Sequence, residues 1–176
     1  VDFSFAKGLR AILRQDPDIV MIGEIRDQET AETAMQAALT GHIVLSTLHT
    51  NDASGAIPRL TTMGVKPFTI APALTAIIAQ RLVRMLCTSC RKEVNIEPAT
   101  LTRINSILEK IPKTAQVTLP KKMQFFAASG CDACGGVGYK GRVGIYEVIE
   151  VTDSIEALIL KEASALEIRE VAIQTG

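Results

Sequence analysis

The sequence predicts an α/β fold, interrupted by a cysteine-pinned segment and completed by a helical carboxyl-terminal region. Three observations carry that fold class. A strand–helix–strand pattern with short connections fills most of the first 50 residues, two C-x-x-C pairs lie 40 residues apart, and the tail after residue 151 has helical periodicity.

Residues 5–15 place Phe5, Leu9, Ile12 and Leu13 at i, i+4, i+7 and i+8, the stripe of a helix buried on one side. Pro17 ends it, because the residue before a proline is pushed out of the α region. Residues 18–23, apolar from Ile19 to Ile22, predict a strand covered on both faces, as a parallel sheet requires. Asp27 is placed to cap a helix on which Ala31, Ala34, Met35, Ala38 and Leu39 share one face, with Gly41 at its end. HIVLSTLHT, residues 42–50, predicts a second short strand with a polar tip. Strand, helix and strand with brief connections make a βαβ unit, so the two strands should run parallel.

Residues 53–63 and 67–84 read as helices, the second rich in Ala, Ile and Leu. Pro67 suits its first turn, while Pro72 fits less comfortably. Residues 98–111 predict an amphipathic helix with Leu101, Ile104 and Leu108 aligned, inside the cysteine segment. RVGIYEVIEV (142–151) predicts a strand, and two helices follow. Ser164 with Glu167 three residues later forms a capping box at the second. The expected division is 1–85, 86–142 and 143–176.

Bulk properties exclude several classes. Lys plus Arg number 19, as do Asp plus Glu, and aromatics make up only 4%. A nucleic-acid binder would need more phosphate attraction and base stacking than that. With 47% apolar residues a core is expected rather than disorder. No apolar run approaches a membrane span, and no signal peptide is visible. The start at Val1 and the stop at Gly176, just after a helical pattern, predict a piece of something longer.

Glu24 follows the first strand. At the carboxyl end of a parallel strand an acid faces the crevice where ligands bind in open α/β sheets. There it can orient a water for attack on a γ-phosphate, or hold Mg²⁺ through water. An acid at a helix entrance also serves capping and dipole alone, so this residue does not decide by itself. His42 and His49, the chain's two histidines, bracket the second strand, with Ser46, Thr47 and Thr50 at its polar end. An imidazole there can sense a γ-phosphate or fix the water that Glu24 holds. Thr47 sits where a polar side chain can report whether that phosphate is present. No phosphate-cradling G-x-x-x-x-G-K-[ST] loop occurs in the chain.

Cys87-x-x-Cys90 and Cys131-x-x-Cys134 each form a turn that aims two sulfurs at one centre, and together they spell a four-cysteine zinc site. Disulfides are the alternative, disfavoured in a sizeable, apolar-rich chain without a signal peptide. Four thiolates leave no open position for water, so the zinc should be structural.

LRAILRQDPDIVMIGEIRDQETAETAMQAALTGHIVLSTLHTNDA strongly resembles the secretion-ATPase superfamily, specifically the assembly ATPases of type II secretion and type IV pilus machines. GEIRD resembles their Walker B box and GHIVLSTLHTND their histidine box. AQRLVRMLCTSC and CDACGGVGYKGRVGIYEV resemble the rest of their carboxyl-terminal half. The resemblance implies part of a RecA-like P-loop NTPase core, with the zinc-binding insertion and helical tail, whose phosphate loop lies upstream of Val1. It implies Glu24 as general base or water-orienting acid, and His42, Thr47, His49 and Arg81 in nucleotide sensing. It further implies ATP with Mg²⁺ in the full-length enzyme, a homo-oligomer that is a hexamer, and inner-membrane platform proteins as partners. The setting it implies is cytoplasmic, peripheral at the inner membrane. Arg10 and Arg14, four apart, read as a solvated basic face. The rival is a zinc-stabilised interaction module without nucleotide chemistry.

Overall fold

The computed structural model describes residues 4–112, 115, 117–118, 120 and 123–175. Val1 and Gly176, on which the expectation of a longer protein rested, lie outside the described residues. The chain divides into two compact units, one of residues 1–79 and 147–172, the other of 80–146 and 173–176.

The first unit opens with α1 (Phe5–Leu13), capped by Ser4, whose hydroxyl accepts the Lys7 N–H at 3.3 Å. Leu9 is buried and Leu13 packs on the core, but Phe5 and Ile12 are exposed, so the buried stripe is narrower than predicted. Strand β1 (Ile19–Ile22) pairs parallel with β2 (Ile43–Ser46), Ile19 opposite Ile43 and Ile22 opposite Ser46. Between them runs α2 (Gln28–Leu39). Its cap is Asp27, which accepts from the Thr30 N–H at 2.8 Å and the Thr30 hydroxyl at 3.0 Å. That satisfies two donors at a buried residue, the arrangement that makes a short acid favourable there. Ala31, Ala34, Met35 and Ala37 form its buried face, while Ala38 is half-buried and Leu39 exposed. The helix closes at Gly41, whose φ of 101° a side chain would resist.

One expectation about β1 fails. Val20 and Ile22 are buried, but Ile19 is 60% and Met21 75% exposed, as are Ile43 and Leu45 on β2 to more than half. Among the described residues of this unit only one face of the pair is covered, the one that carries Val20 and Ile22.

Helices α3 (Ala56–Thr62) and α4 (Pro67–Ala73) follow, where a single helix was expected over 67–84. At Leu74 the backbone turns extended (ψ 127°), and β3 (Ala76–Leu86) begins. Strand β3 pairs with β6 (Tyr139–Glu150), which starts three residues before the predicted 142. At the ends of this ribbon, Val151 N–H donates to Thr75 O (2.9 Å) and Cys87 N–H to Gly138 O (2.9 Å). The pairing is non-local, and it overrides a composition that favours helix.

Back in the first unit, α6 (Asp153–Leu160) packs against α4, and α7 (Ala165–Thr175) ends the described chain. Ile155, Ile159 and Ile168 are wholly buried with Ile70, Ile22 and Val65 in a shared core. The predicted capping box is present: Glu167 Oε2 accepts the Ser164 N–H at 2.8 Å, and Ser164 Oγ accepts the Glu167 N–H at 3.3 Å. In the second unit β4 (Lys92–Val94) pairs antiparallel with β5 (Phe125–Ala127). There α5 (Pro98–Leu108) buries none of its residues, although the sequence aligns Leu101, Ile104 and Leu108.

Truncating Ile155 leaves a hole that neighbouring elements only partly refill. Ile155→Ala should cost about 2–5 kcal/mol in urea unfolding. Leu160→Ala, on the same helix but 54% exposed, should stay within about 0.5 kcal/mol.

Candidate active site and metal centre

The register of the parallel pair brings Glu24 and His49 together. Beyond the last paired residues, the Thr47 hydroxyl donates to Gly23 O at 2.7 Å and the Ile25 N–H donates to Thr47 O at 3.0 Å. These two bonds continue the ladder past Ile22 and fix both strand exits. The Glu24 side chain then stands one-third exposed, with Oε2 accepting from Arg26 Nε at 2.6 Å and from His49 Nε2 at 3.1 Å. A carboxylate only accepts, so the imidazole nitrogen facing it carries the proton.

The Arg26 contact, above all, holds the Glu24 carboxyl below the ordinary carboxylate range; partial burial opposes it and His49 adds to it. Glu24 is therefore ionised at neutral pH, in an open position and flanked by donors. Such a group can accept a proton from water or orient a metal-bound water.

His42 sits at the other end of β2, just before its first residue. Its Nδ1 lies 3.0 Å from Ala37 O and 3.1 Å from the Thr40 hydroxyl, so it closes the end of α2. It also lines a groove with Arg10, Glu29 and Gln36. Thr47 uses its hydroxyl on the backbone of Gly23. Arg81 lies exposed on β3 in the second unit, in a strand rather than the expected helix. Arg10 pairs with Glu29 at 3.0 Å, both half exposed, a contact of roughly 0–1 kcal/mol.

Two contacts escaped the sequence. Arg26 is two residues from Glu24, and in extended chain i and i+2 share a side, so alternation held the clue. Glu147 accepts the Ala53 N–H at 3.0 Å across 94 residues, and no local pattern announces that.

In the second unit the sulfurs of Cys87, Cys90, Cys131 and Cys134 all lie within 4.8 Å of one another. The distances are 3.9 Å for Cys87–Cys131 and for Cys90–Cys134, and 3.8 Å for Cys131–Cys134. A tetrahedron with zinc–sulfur bonds of about 2.3 Å has edges of about 3.8 Å, so the donor set fits a metal such as zinc. Each pair is shaped by its own turn: Arg91 N–H donates to Cys87 O and Gly136 N–H to Cys131 O, both at 2.9 Å. Cys134 Sγ accepts from the N–H groups of Cys131 and Gly138, each at 3.2 Å. Burial pushes against ionisation, yet those two donors pull the Cys134 thiol down to about 6. Burial and the adjoining thiols push Cys131 up to about 11. Ionising one sulfur penalises the next, a conflict that a divalent cation removes. Gly138 is required here: its φ is 75°, and a Cβ would come within 2.6 Å of the Ala128 side chain.

With this geometry in view, a model of a protein family described as "Type II/IV secretion system protein" matches residues 1–176. The chain belongs to that family. It is 49% identical over 173 residues to the type IV pilus assembly ATPase PilB of Thermus thermophilus, covering 98% of this chain and 18% of that protein. It is also 49% identical over 176 residues to type II secretion system protein E of Pseudomonas aeruginosa, covering 100% of this chain and 33% of the relative. This member of the family therefore spans a third or less of those two relatives' length. Among solved structures, the pilus retraction motor PilT with bound ADP aligns with a TM-score of 0.56 at 29% identity, over 96% of this chain and 34% of that one. The DotB ATPase of Yersinia pseudotuberculosis aligns at 0.59 and 23% identity, over 96% and 33%, a likeness of fold.

Two measurements check the sites. The purified, reduced chain should hold about one zinc by elemental analysis and Cys134→Ser should lose it to a chelator; a metal-free wild type would refute the centre. The Glu24 carboxyl, lowered from its ordinary 4.5, adds stability that is present above that value and is lost as pH falls through the lowered one. Arg26→Ala should move the Glu24 midpoint, followed by side-chain carbon NMR, up toward 4.5; an unmoved midpoint would mean Arg26 does not act on it.

Proposed function

We propose that this chain is the part of a motor ATPase that carries the hydrolytic acid, and that the full-length protein hydrolyses MgATP to power pilus assembly or type II protein secretion. The observation that carries this reading is Glu24 at the open end of a parallel strand pair, with His49 on its carboxylate. In this role Glu24 orients and deprotonates the attacking water, and His49 holds the carboxylate toward the γ-phosphate. Thr47, His42 and Arg81 belong to the sensing of nucleotide, Thr47 and His42 through the strand that they brace. Magnesium, bound with ATP, neutralises phosphate charge.

Residues 1–85 would be part of a RecA-like P-loop core, 86–142 a zinc-binding subdomain and 143–176 the carboxyl-terminal strand and helices. The bare face of Ile19, Met21, Ile43 and Leu45 suits a sheet that further strands and helices complete. Zinc is structural in this scheme, because four thiolates fill its coordination sphere. The whole protein would act as a homo-oligomer, a hexameric ring, on the cytoplasmic side of the inner membrane against the platform proteins of its machine. No described helix is long and apolar enough to cross a membrane, which accords with peripheral attachment. The 176 residues alone should not turn over ATP, since the backbone N–H groups and lysine of a phosphate loop are missing from them.

In the protein extended upstream through its phosphate loop, Glu24→Gln should lower kcat by roughly 10²–10⁴-fold while leaving ATP affinity nearly unchanged. Undiminished turnover would remove Glu24 from the mechanism and leave a metal-stabilised interaction module as the better account.

A further inference from the structure

Glu147 stands near the end of β6 and is exposed, like most of that strand. Successive side chains on a strand alternate between faces, so Glu147 shares its face with Ile149, a buried member of the core. Here the carboxylate accepts the N–H of Ala53, a residue that is itself buried, at 3.0 Å.

Ala53 belongs to the turn that follows His49. Within that turn the Thr50 hydroxyl donates to Asp52 O at 2.9 Å, and Asp52 Oδ1 accepts from Gly55 N–H at 2.8 Å and the Ser54 hydroxyl at 3.1 Å. Those bonds shape the turn from within, and Ala53 packs in the core. Two hydrogen-bonded attachments flank His49. Upstream, Thr47 is bound to Gly23 and Ile25; downstream, Ala53 is bound to Glu147. His49 itself is largely exposed.

We propose that Glu147 is a positioning residue for the Glu24–His49 pair. Its carboxylate fixes the downstream end of the histidine loop, and the backbone so held keeps the imidazole within hydrogen-bonding reach of Glu24. The proposal rests on the ATPase reading above. It adds a residue on a different strand, 94 positions from the Ala53 that it holds.

Three variants in the upstream-extended protein test it. Glu147→Met keeps an unbranched chain of similar length beside Ile149 and removes the acceptor. Glu147→Gln keeps a carbonyl oxygen that can take the Ala53 N–H. Glu24→Gln reports separately on the ATPase reading. Glu147→Met should lower kcat roughly ten- to a hundredfold, the penalty of a displaced reacting group. Its KM for ATP should stay within about twofold, because nucleotide contacts are untouched. Glu147→Gln should recover at least half of wild-type kcat. Wild-type kcat in Glu147→Met, an equal loss in Glu147→Gln, or a Glu147→Met protein that no longer folds by circular dichroism would overturn the positioning role. None of those outcomes changes what Glu24→Gln reports.

Discussion

The register of two four-residue strands is the constraint on which the first unit depends. Pairing Ile19 with Ile43 sets Ile22 beside Ser46, so Gly23 meets Thr47, and Glu24 and His49 meet just beyond the paired strands. A slip of one residue would turn Val20 and Ile22 outward and carry Glu24 to the other side of the sheet. Core and site thus share one specification. The helix between the strands enforces it, capped at Asp27 and stopped at Gly41, because its length and its buried alanines leave the strands one way to meet.

Much of this was legible because the signals were local. Asp27, Gly41, Ser164 and Glu167 act on groups within a few residues, and the structure has them where the sequence placed them. The cysteine cluster was legible for the same reason: C-x-x-C describes a turn, and two turns need only meet. What failed was non-local. Residues 76–84 are mostly competent helix formers, and only pairing with a strand some sixty residues onward makes them β. His42 and His49 look equivalent in a string that they bracket, but parallel strands have two chemically different ends, and only one imidazole reaches the acid. Glu147 was invisible because its partner is a backbone N–H, which no residue type advertises.

The two sites differ in what the protein does for them. At Glu24 the environment keeps a carboxylate ionised and uncovered, with Arg26 as the chief cause. At the cysteines, backbone N–H groups and partial burial pull neighbouring thiols in opposite directions and hold them at the edge lengths of a metal tetrahedron. The first arrangement suits exchange with solvent and ligand, the second a permanent occupant. Each is built inside its own unit, so neither depends on the other for its geometry.

The uncovered side of the β1–β2 pair has a consequence for the chain's behaviour in dilute solution. Ile19, Met21, Ile43 and Leu45 make a contiguous oily strip beside free strand edges, the surface that molecular chaperones and hydrophobic dyes treat as a mark of incomplete folding. Freed from whatever shields that strip, the polypeptide would be prone to self-association even with its interior fully formed, and its solubility would fall as concentration rises.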